Sequence, residues 1–306
     1  MIGRRWYVIL LWLYVALAWG GSFVAINIGL DSLPPIFFAA TRLDIAAVMV
    51  LPLAWALGYD LVPETRSGIV GILVIGVFIV GITNVFLYIG LQYATSAVGA
   101  VLIGMNPIFA GLFAWVLVPE ERLNRAGIVG LLIGIIGVGI IIDFRLSELM
   151  AGRLNQFFLV AAAATLAFGS VITRRIDSPQ APLPAMGWGL AFGAITLHVL
   201  SIVIGEQVPL GSGTWTMSLW LSVAYVGILA TGAAYPAYFR ALKEIGSVKT
   251  NLVSYAAPVI AAIVGWLVLS EPINQTTVAG FSLVLIGFAI INYRAVAATF
   301  ASNKIV

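Results

Sequence analysis

Uncharged polar and aromatic side chains recur at helical spacing in the apolar parts of this chain. Such groups can hold a small organic molecule by hydrogen bonds and ring contacts. Asn84 and Tyr88 are four residues apart, and Thr231, Tyr235 and Tyr238 occupy positions i, i+4 and i+7. Residues with these spacings share one face of a helix. In an apolar environment such a face turns toward the protein interior, where its groups either bond to neighbouring helices or contact a ligand.

Two prolines that are 151 positions apart, Pro107 and Pro258, mark a second group of polar candidates. Proline has no amide hydrogen, so the carbonyls of Ile103 and Ser254 lose their helical partners and can accept a hydrogen bond from elsewhere. Paired interruptions in two repeats indicate a substrate-binding site, and a kink that is satisfied internally is the alternative. The polar residues beside these prolines are Asn106, Asn251, Ser254 and Tyr255.

An aromatic residue followed by two small residues occurs at corresponding places in two further stretches, Trp19-Gly20-Gly21 and Phe168-Gly169-Ser170. This pattern offers a flat apolar face and permits the close approach of a helix or a ligand. Trp19 is therefore a candidate for binding, and close helix packing explains the pattern equally well. Asn27, two turns after Trp19, is a weaker candidate.

Three titratable side chains lie deep within apolar stretches: Arg42, Asp44 and His198. Arg42 is about 10 Å inside its predicted helix, where a charge must pair, reach water or bind an anionic group. Asp44 is two positions away and points in a nearly opposite direction, so we do not expect it to pair with Arg42. We interpret Arg42 as either a structural anchor or a contact for a substrate carboxylate. Asp44 is a candidate proton-coupling site. The isolated His198 is a further candidate for charge or coupling, and a structural role is its more frequent explanation.

The sequence lacks motifs for catalysis and cofactor binding. It contains one histidine and no cysteine, which leaves no thiol nucleophile, no disulfide and no thiolate metal site. The Lys249-Thr250 pair lacks the glycine frame of a phosphate-binding loop. The sequence therefore predicts no catalytic residues, no metal and no cofactor, and it argues against an ATP-driven pump and against an enzyme.

The composition requires a membrane around these residues. Hydrophobic residues make up 62% of the chain, charged residues make up 9%, and the mean hydropathy is +1.10, so polar side chains are too few to cover a soluble globule. A membrane-spanning helix needs about 20 apolar residues. Such runs predict ten spans, at 6–30, 35–57, 68–91, 96–118, 125–142, 155–173, 185–205, 216–240, 247–269 and 277–294. The connection from Asp143 to Leu154 could hold a short amphipathic turn.

Lysine and arginine predict the orientation of the spans, because loops on the cytoplasmic side are enriched in them. If the amino terminus is cytoplasmic, the outer side carries only Arg145 and Arg153. The cytoplasmic side then carries Arg4, Arg5, Arg66, Arg122, Arg125, Arg174, Arg175, Arg240, Lys243, Lys249, Arg294 and Lys304. We predict a multi-pass protein of the cell membrane with both termini in the cytoplasm. The net charge of +3 is too small and too dispersed to indicate nucleic-acid binding, so the expected partners are the lipid bilayer and a small-molecule substrate.

The second half of the sequence repeats the first. Residues Ser96, Pro107, Ala110, Trp115 and Glu120 return 151 positions later as Ser247, Pro258, Ala261, Trp266 and Glu271. We predict two five-helix repeats, at 1–150 and 151–306, and the odd number of spans makes the second repeat inverted. Inverted repeats can open a central site to each face in turn, and a scaffold built by duplication is the alternative. Close helix packing, in a monomer or in a homodimer, is favoured by Gly127, Gly130, Gly134, Gly137, Gly280 and Gly287.

Together these residues resemble the drug/metabolite transporter superfamily, in its EamA-type branch of ten-helix metabolite exporters. The resemblance depends on Trp19-Gly20-Gly21-Ser22, on Arg42, and on the pattern of small residues, Pro, Trp and Glu at Ser96–Glu121 and Ser247–Glu271. It covers nearly the whole chain. It implies an all-α integral membrane fold with ten helices around a central cavity, in which the fifth helix of each repeat is peripheral. Members are similar to exporters of amino acids and other small metabolites, and relatives carry nucleotide sugars, sugar phosphates or choline.

We therefore predict a secondary transporter that moves small amphipathic metabolites such as amino acids by alternating access, with efflux as the expected direction. One alternative is a carrier of another class of substrate: nucleotide sugars, sugar phosphates or cationic compounds. A channel or a lipid scramblase is a further alternative, because such proteins also use inverted bundles with polar interiors. The single arginine argues against polyanions, which usually require several basic groups.

Overall fold

The computed structural model describes residues 2–117, 125–141, 157–176, 178–209, 211 and 215–291, and these form ten helical spans. Eight of the described spans are long and apolar enough to cross a membrane, and two are shorter apolar helices. The predicted all-α membrane fold is confirmed. The spans are α1 (Ile2–Leu30), α2 (Pro35–Ala56), α3 (Arg66–Leu91), α4 (Ser96–Leu117), α5 (Arg125–Ile141), α6 (Phe157–Ile176), α7 (Pro182–Val203), α8 (Met217–Gly246), α9 (Lys249–Leu269) and α10 (Gln275–Ile291). The predicted turn between Asp143 and Leu154 and the repeat residue Glu120 lie outside the described residues.

Matching local signals begin and end the helices of the two halves. The Thr65 hydroxyl accepts a hydrogen bond from the Gly68 amide at the start of α3, and the Thr216 hydroxyl accepts one at the start of α8. The helices α2 and α7 are each followed by a glycine with positive φ, Gly58 at 80° and Gly205 at 75°. The repeat therefore extends to helices in which the sequence alone did not reveal it.

A π-helical segment interrupts two corresponding helices, at Ile75–Ile82 in α3 and at Tyr225–Ala233 in α8. Each segment contains two glycines five residues apart, and the later one sits close to the backbone of the earlier one. A Cβ at Gly81 would lie 2.8 Å from the Gly76 carbonyl oxygen, and a Cβ at Gly232 would lie 3.1 Å from the Gly227 carbonyl oxygen. The wide turns therefore require a residue without a side chain. Such turns are rare and frequently occur at functional sites.

The helices of the two halves interleave. The first helix of each half packs against the other half, with α1 against α8 and α9, and α6 against α3 and α4. In addition, α2 packs against α7, α4 against α9, and α5 against α10, so each of these helices contacts its counterpart in the other repeat. The ten spans thus form one bundle of two inverted repeats. Helix α2 lies near the middle of this bundle, since it also contacts α3 and α8.

The helices α5 and α10 contact each other through their glycines. A Cβ at Gly137 would lie 2.6 Å from the Gly280 carbonyl oxygen, and a Cβ at Gly287 would lie 2.5 Å from the Gly130 carbonyl oxygen. The glycine surface predicted for these spans is therefore used within one chain. Small residues allow the two backbones to approach to this distance.

The two prolines affect their helices differently. Helix α4 breaks immediately before Pro107, at Gly104 and Met105, which separates the segments Ser96–Ile103 and Asn106–Leu117. In contrast, the helical segment Val253–Leu269 continues through Pro258. Helix α9 instead has its turn at Leu252, six residues before Pro258. The interruptions of the two helices therefore do not lie at matching positions. The Ser254 carbonyl that Pro258 leaves without a helical partner faces α4, 3.2 Å from where a Cβ of Gly104 would be.

Candidate functional site

Arg42 lies at the centre of a polar cluster formed by α2, α3 and α8. Its Nη1 donates a hydrogen bond to the Thr231 hydroxyl at 2.8 Å, and its Nη2 donates one to the Asn84 side-chain oxygen. The guanidinium carbon lies 5.4 Å from the centroid of the Tyr88 ring. The structure therefore brings together three predicted site residues, two from α3 and one from α8, around a single arginine.

The π-helical segments position two of these partners. Thr231 lies within the segment of α8, and its hydroxyl donates to the Val226 carbonyl at 2.7 Å, five residues earlier. Asn84 lies just after the segment of α3, and its amide nitrogen donates to the Val80 carbonyl at 2.5 Å. Each side chain thus uses its donor within its own helix. The remaining oxygen lone pairs then point toward Arg42.

The charge of Arg42 is not balanced by a carboxylate among the described residues. Its bonded partners are a hydroxyl and a carboxamide, and its third nitrogen, Nε, is buried without a hydrogen-bond partner. The Tyr88 hydroxyl is also buried and has none. An unpaired charge and unsatisfied polar atoms are costly in an apolar environment. An anionic group beside Arg42 would remove this cost.

An aromatic cluster lies beside the polar one, because both use α8. The Trp19 ring is 6.1 Å from the Tyr235 ring and 5.2 Å from the Tyr238 ring, between ring centroids. The Trp19 indole donates to the Ala230 carbonyl at 3.1 Å, and the Tyr238 hydroxyl donates to the Asn251 side-chain oxygen at 2.7 Å. Tyr235 is one turn after Thr231, so this helix face joins the two clusters.

The remaining predicted residues of the site lie at the contact of α4 with α9 and α10. The Asn106 side-chain oxygen and the Tyr255 hydroxyl are both buried without a hydrogen-bond partner. The Tyr255 ring lies 4.5 Å from the Phe288 ring of α10. This group comprises Asn106, Pro107, Ser254, Tyr255 and Pro258. No hydrogen bond or ring contact among the described residues connects it with Arg42.

Asp44 and His198 form a hydrogen-bonded pair that the sequence did not predict. The Asp44 Oδ2 and the His198 Nε2 are 2.7 Å apart, between α2 and α7. His198 is therefore not isolated, because these two helices pack side by side. Its structural or coupling role stays a prediction. Asp44 does not contact Arg42, whose partners lie on the other side of α2.

Two glutamates have a role that sequence reasoning missed, which is to cap helices of the first half from the second half. Glu271 accepts from the Ser96 amide at 3.0 Å and from the Ser96 hydroxyl and the Asn27 amide nitrogen. Glu206 accepts from the amides that begin α2, those of Ile36 and Phe37. A carboxylate at the start of a helix satisfies free amides and the helix dipole. In the sequence, Glu271 stands out only as a residue of the repeat. Its capping role could not be predicted because its partners are far away in sequence.

We expect Glu271→Ala to lower the free energy of unfolding by about 1–3 kcal/mol, because it leaves the amide and the hydroxyl of the buried Ser96 without their acceptor. Thermal unfolding in detergent micelles measures this change. The matched control is Glu64→Ala, since Glu64 is exposed in the loop before α3. Equal melting temperatures for the two variants would contradict the capping role of Glu271.

Family profiles and relatives agree with this architecture. The profile of the EamA-like transporter family matches residues 6–143 and, a second time, residues 154–293. The chain belongs to the EamA-like transporter family. This EamA-like chain is 27% identical over 277 residues to the transporter YoaV of Bacillus subtilis (strain 168), a match that covers 89% of this chain and 92% of YoaV. It is 24% identical over 274 residues to the inner membrane transporter YedA of Escherichia coli (strain K12), covering 89% of this chain and 86% of YedA.

Two further similarities extend across kingdoms and to a solved structure. The EamA-like chain is 25% identical over 281 residues to the WAT1-related chloroplastic protein At3g02690 of Arabidopsis thaliana, covering 90% of this chain and 67% of that protein. A crystal structure matches the fold with a TM-score of 0.64 at 23% identity, covering 94% of this chain and 98% of the other. The EamA-like chain is thus a multi-pass membrane transporter.

Proposed function

We propose that this protein is a secondary transporter of small amphipathic metabolites that carry a carboxylate, with amino acids as the main class. The observation that carries the proposal is the unbalanced charge of Arg42. A substrate carboxylate would bond to the buried Arg42 Nε, which has no hydrogen-bond partner. Arginine suits this role because its planar fork matches a carboxylate.

The aromatic cluster beside Arg42 suggests where the rest of the substrate would lie. Trp19, Tyr235 and Tyr238 offer ring faces for an apolar side chain or for an ammonium group. A molecule with a carboxylate at one end and an apolar or cationic part at the other would contact both clusters. This arrangement fits amino acids better than sugar phosphates or nucleotide sugars, since a phosphate group usually calls for more than one basic side chain.

Transport by alternating access would use the two inverted repeats. The matched π-helical segments of α3 and α8 lie directly beside the Arg42 partners, so a change in these segments would reach the substrate. We further propose that both termini are cytoplasmic, because basic residues are concentrated on that side, and that the direction is efflux. The substrate and the surrounding lipid are the partners in this proposal, and a monomer suffices for the site.

The experiment is counterflow exchange in proteoliposomes with three matched probes: phenylalanine, phenethylamine and phenylpropionate. The proposal expects saturable exchange of phenylalanine and little exchange of phenethylamine, which has no carboxylate. Phenylpropionate shows whether the carboxylate alone is sufficient. Absence of exchange for both carboxylate probes would overturn the proposal, and a linear flux that unlabelled probe does not reduce would favour a channel.

Trp19→Ala tests the aromatic cluster. We expect a decrease in the affinity for phenylalanine of about 2–10-fold, which corresponds to the free energy that one aromatic pair contributes. The concentration dependence of exchange measures it. Trp266→Ala is the control, because Trp266 is exposed on α9. An equal effect of both substitutions would exclude Trp19 from the binding site.

A further inference from the structure

The Asp44–His198 pair lies on the surface of the bundle that faces the membrane. The Asp44 side chain is 51% exposed and the His198 side chain is 34% exposed, although both are within membrane-length helices. Exposed apolar residues surround them on the same helices: Val48 of α2, and Ile195, Val199 and Ile202 of α7. Asp44 is about 13 Å from the start of α2, at a rise of about 1.5 Å per residue. A titratable pair at this depth in the membrane is costly, which indicates a function beyond helix packing.

No second polar partner stabilises the charge of this pair among the described residues. Arg42, two positions away on α2, bonds to Thr231 and Asn84 on the other side of that helix. Glu206 accepts from the amides of Ile36 and Phe37. On the helices packed against α2 and α7, Glu244 pairs with Arg240. The other titratable side chains that the structure describes there form no hydrogen bond or ion pair with Asp44 or His198: Tyr7, Tyr14, Arg66, Tyr88, Tyr225, Tyr235, Tyr238 and Lys243.

The number of protons on the pair therefore decides its net charge. Neutral histidine beside an ionised aspartate carries one negative charge, and the addition of one proton makes the pair neutral. Hydrocarbon strongly favours the neutral form, whereas water tolerates both forms. Histidine is also the side chain that most readily changes its charge near neutral pH. The proton affinity of the pair thus depends on whether lipid or water contacts this surface of α2 and α7.

We propose that Asp44 and His198 form a proton-binding site that couples transport to the proton gradient. The pair spans α2 and α7, which are corresponding helices of the two repeats and contact each other. Relative movement of the repeats would bring this surface into contact with water on one side of the membrane and then on the other, so that one proton binds from one side and leaves to the other. Arg42 is on the same helix, so substrate binding and proton binding bias the same movement, and each affects the affinity for the other.

The first test measures proton binding without any substrate. Infrared spectra of the purified protein in lipid nanodiscs are recorded while the pH is lowered from about 8 to about 5. The pair takes up one proton, on the Asp44 carboxyl or on the His198 imidazole. The proposal therefore expects a pH-dependent carboxyl or imidazole band in the wild type that Asp44→Asn and His198→Gln each remove or move to a different pH. Asp60→Asn is the control, since Asp60 is exposed after α2. A band that persists unchanged in Asp44→Asn would overturn the proposal.

The second test uses labelled phenylalanine in proteoliposomes with and without a pH gradient. Asp44→Asn and His198→Gln should retain exchange without a gradient to within about twofold and lose the stimulation by the gradient. Stimulation equal to that of the wild type in both variants would overturn the inference. If the wild-type protein does not carry phenylalanine, the proposed substrate class fails, and the infrared measurement still decides whether the pair binds the proton.

Discussion

Arg42→Gln should lower the exchange of phenylalanine at least about tenfold, because a hydrogen bond to a charged group contributes about 1.5–3 kcal/mol. Glutamine removes the charge and leaves the substrate carboxylate opposite Tyr88 and Asn84 without a cation. A difference of about 1.4 kcal/mol corresponds to a factor of ten in affinity. Initial rates of counterflow over a range of substrate concentrations measure the effect.

Two further substitutions separate a binding role of Arg42 from a structural one. Arg42→Lys keeps the charge and loses the planar fork, so an intermediate rate is expected. Arg66→Gln is the control, since Arg66 is exposed at the start of α3. If Arg42→Gln lowers the melting temperature and leaves the exchange per folded molecule unchanged, Arg42 is an anchor between α2, α3 and α8. The proposed substrate contact would then be wrong.

Gly280→Leu should lower the free energy of unfolding by about 1–3 kcal/mol, because it overfills a contact between two backbones. A Cβ at Gly280 would lie 2.5 Å from the Gly137 carbonyl oxygen and 2.5 Å from the Ile141 side chain. The carbonyl belongs to a helix backbone and cannot rotate away. The helices α5 and α10 would have to separate, and thermal unfolding in detergent would detect the change.

Gly139→Leu is the matched control for this prediction. Gly139 is also a glycine of α5, and a Cβ there would meet nothing within 4 Å. The melting temperature of Gly139→Leu should equal that of the wild type. If both variants are equally stable, α5 and α10 do not approach as closely as the structure indicates. If only the assembly state of Gly280→Leu changes, the glycines serve contacts between subunits.

The shared helix faces of the site could be predicted because they depend on local geometry. Asn84 and Tyr88 are one turn apart, as are Thr231 and Tyr235, and any α-helix places such residues together. The structure shows that Asn84, Tyr88 and Thr231 meet at Arg42. The sequence contained each face and did not show which faces would meet. The π-helical segments that aim these side chains were also not visible in the hydrophobic pattern.

Long-range contacts explain the expectations that had to be corrected. Asp44 and His198 are 154 positions apart, and nothing in the spacing of either residue indicates the other. The effect of Pro258 also depended on its surroundings, because α4 crosses α9 at the carbonyl of Ser254 that the proline leaves free. Glu271 caps a helix that begins 175 positions earlier. Pairings of this kind follow from which helices become neighbours.

Composition, helical periodicity and the internal repeat were sufficient to predict a ten-span transporter bundle with two related halves. These properties depend on residues that are close in sequence, since the length of an apolar run and a period of 3.6 residues do not depend on distant contacts. The interleaving of the halves was decided only in three dimensions, as was the pairing of Asp44 with His198. Each depends on how one helix lies against another, and in a membrane that choice comes from close packing and from satisfying buried polar groups.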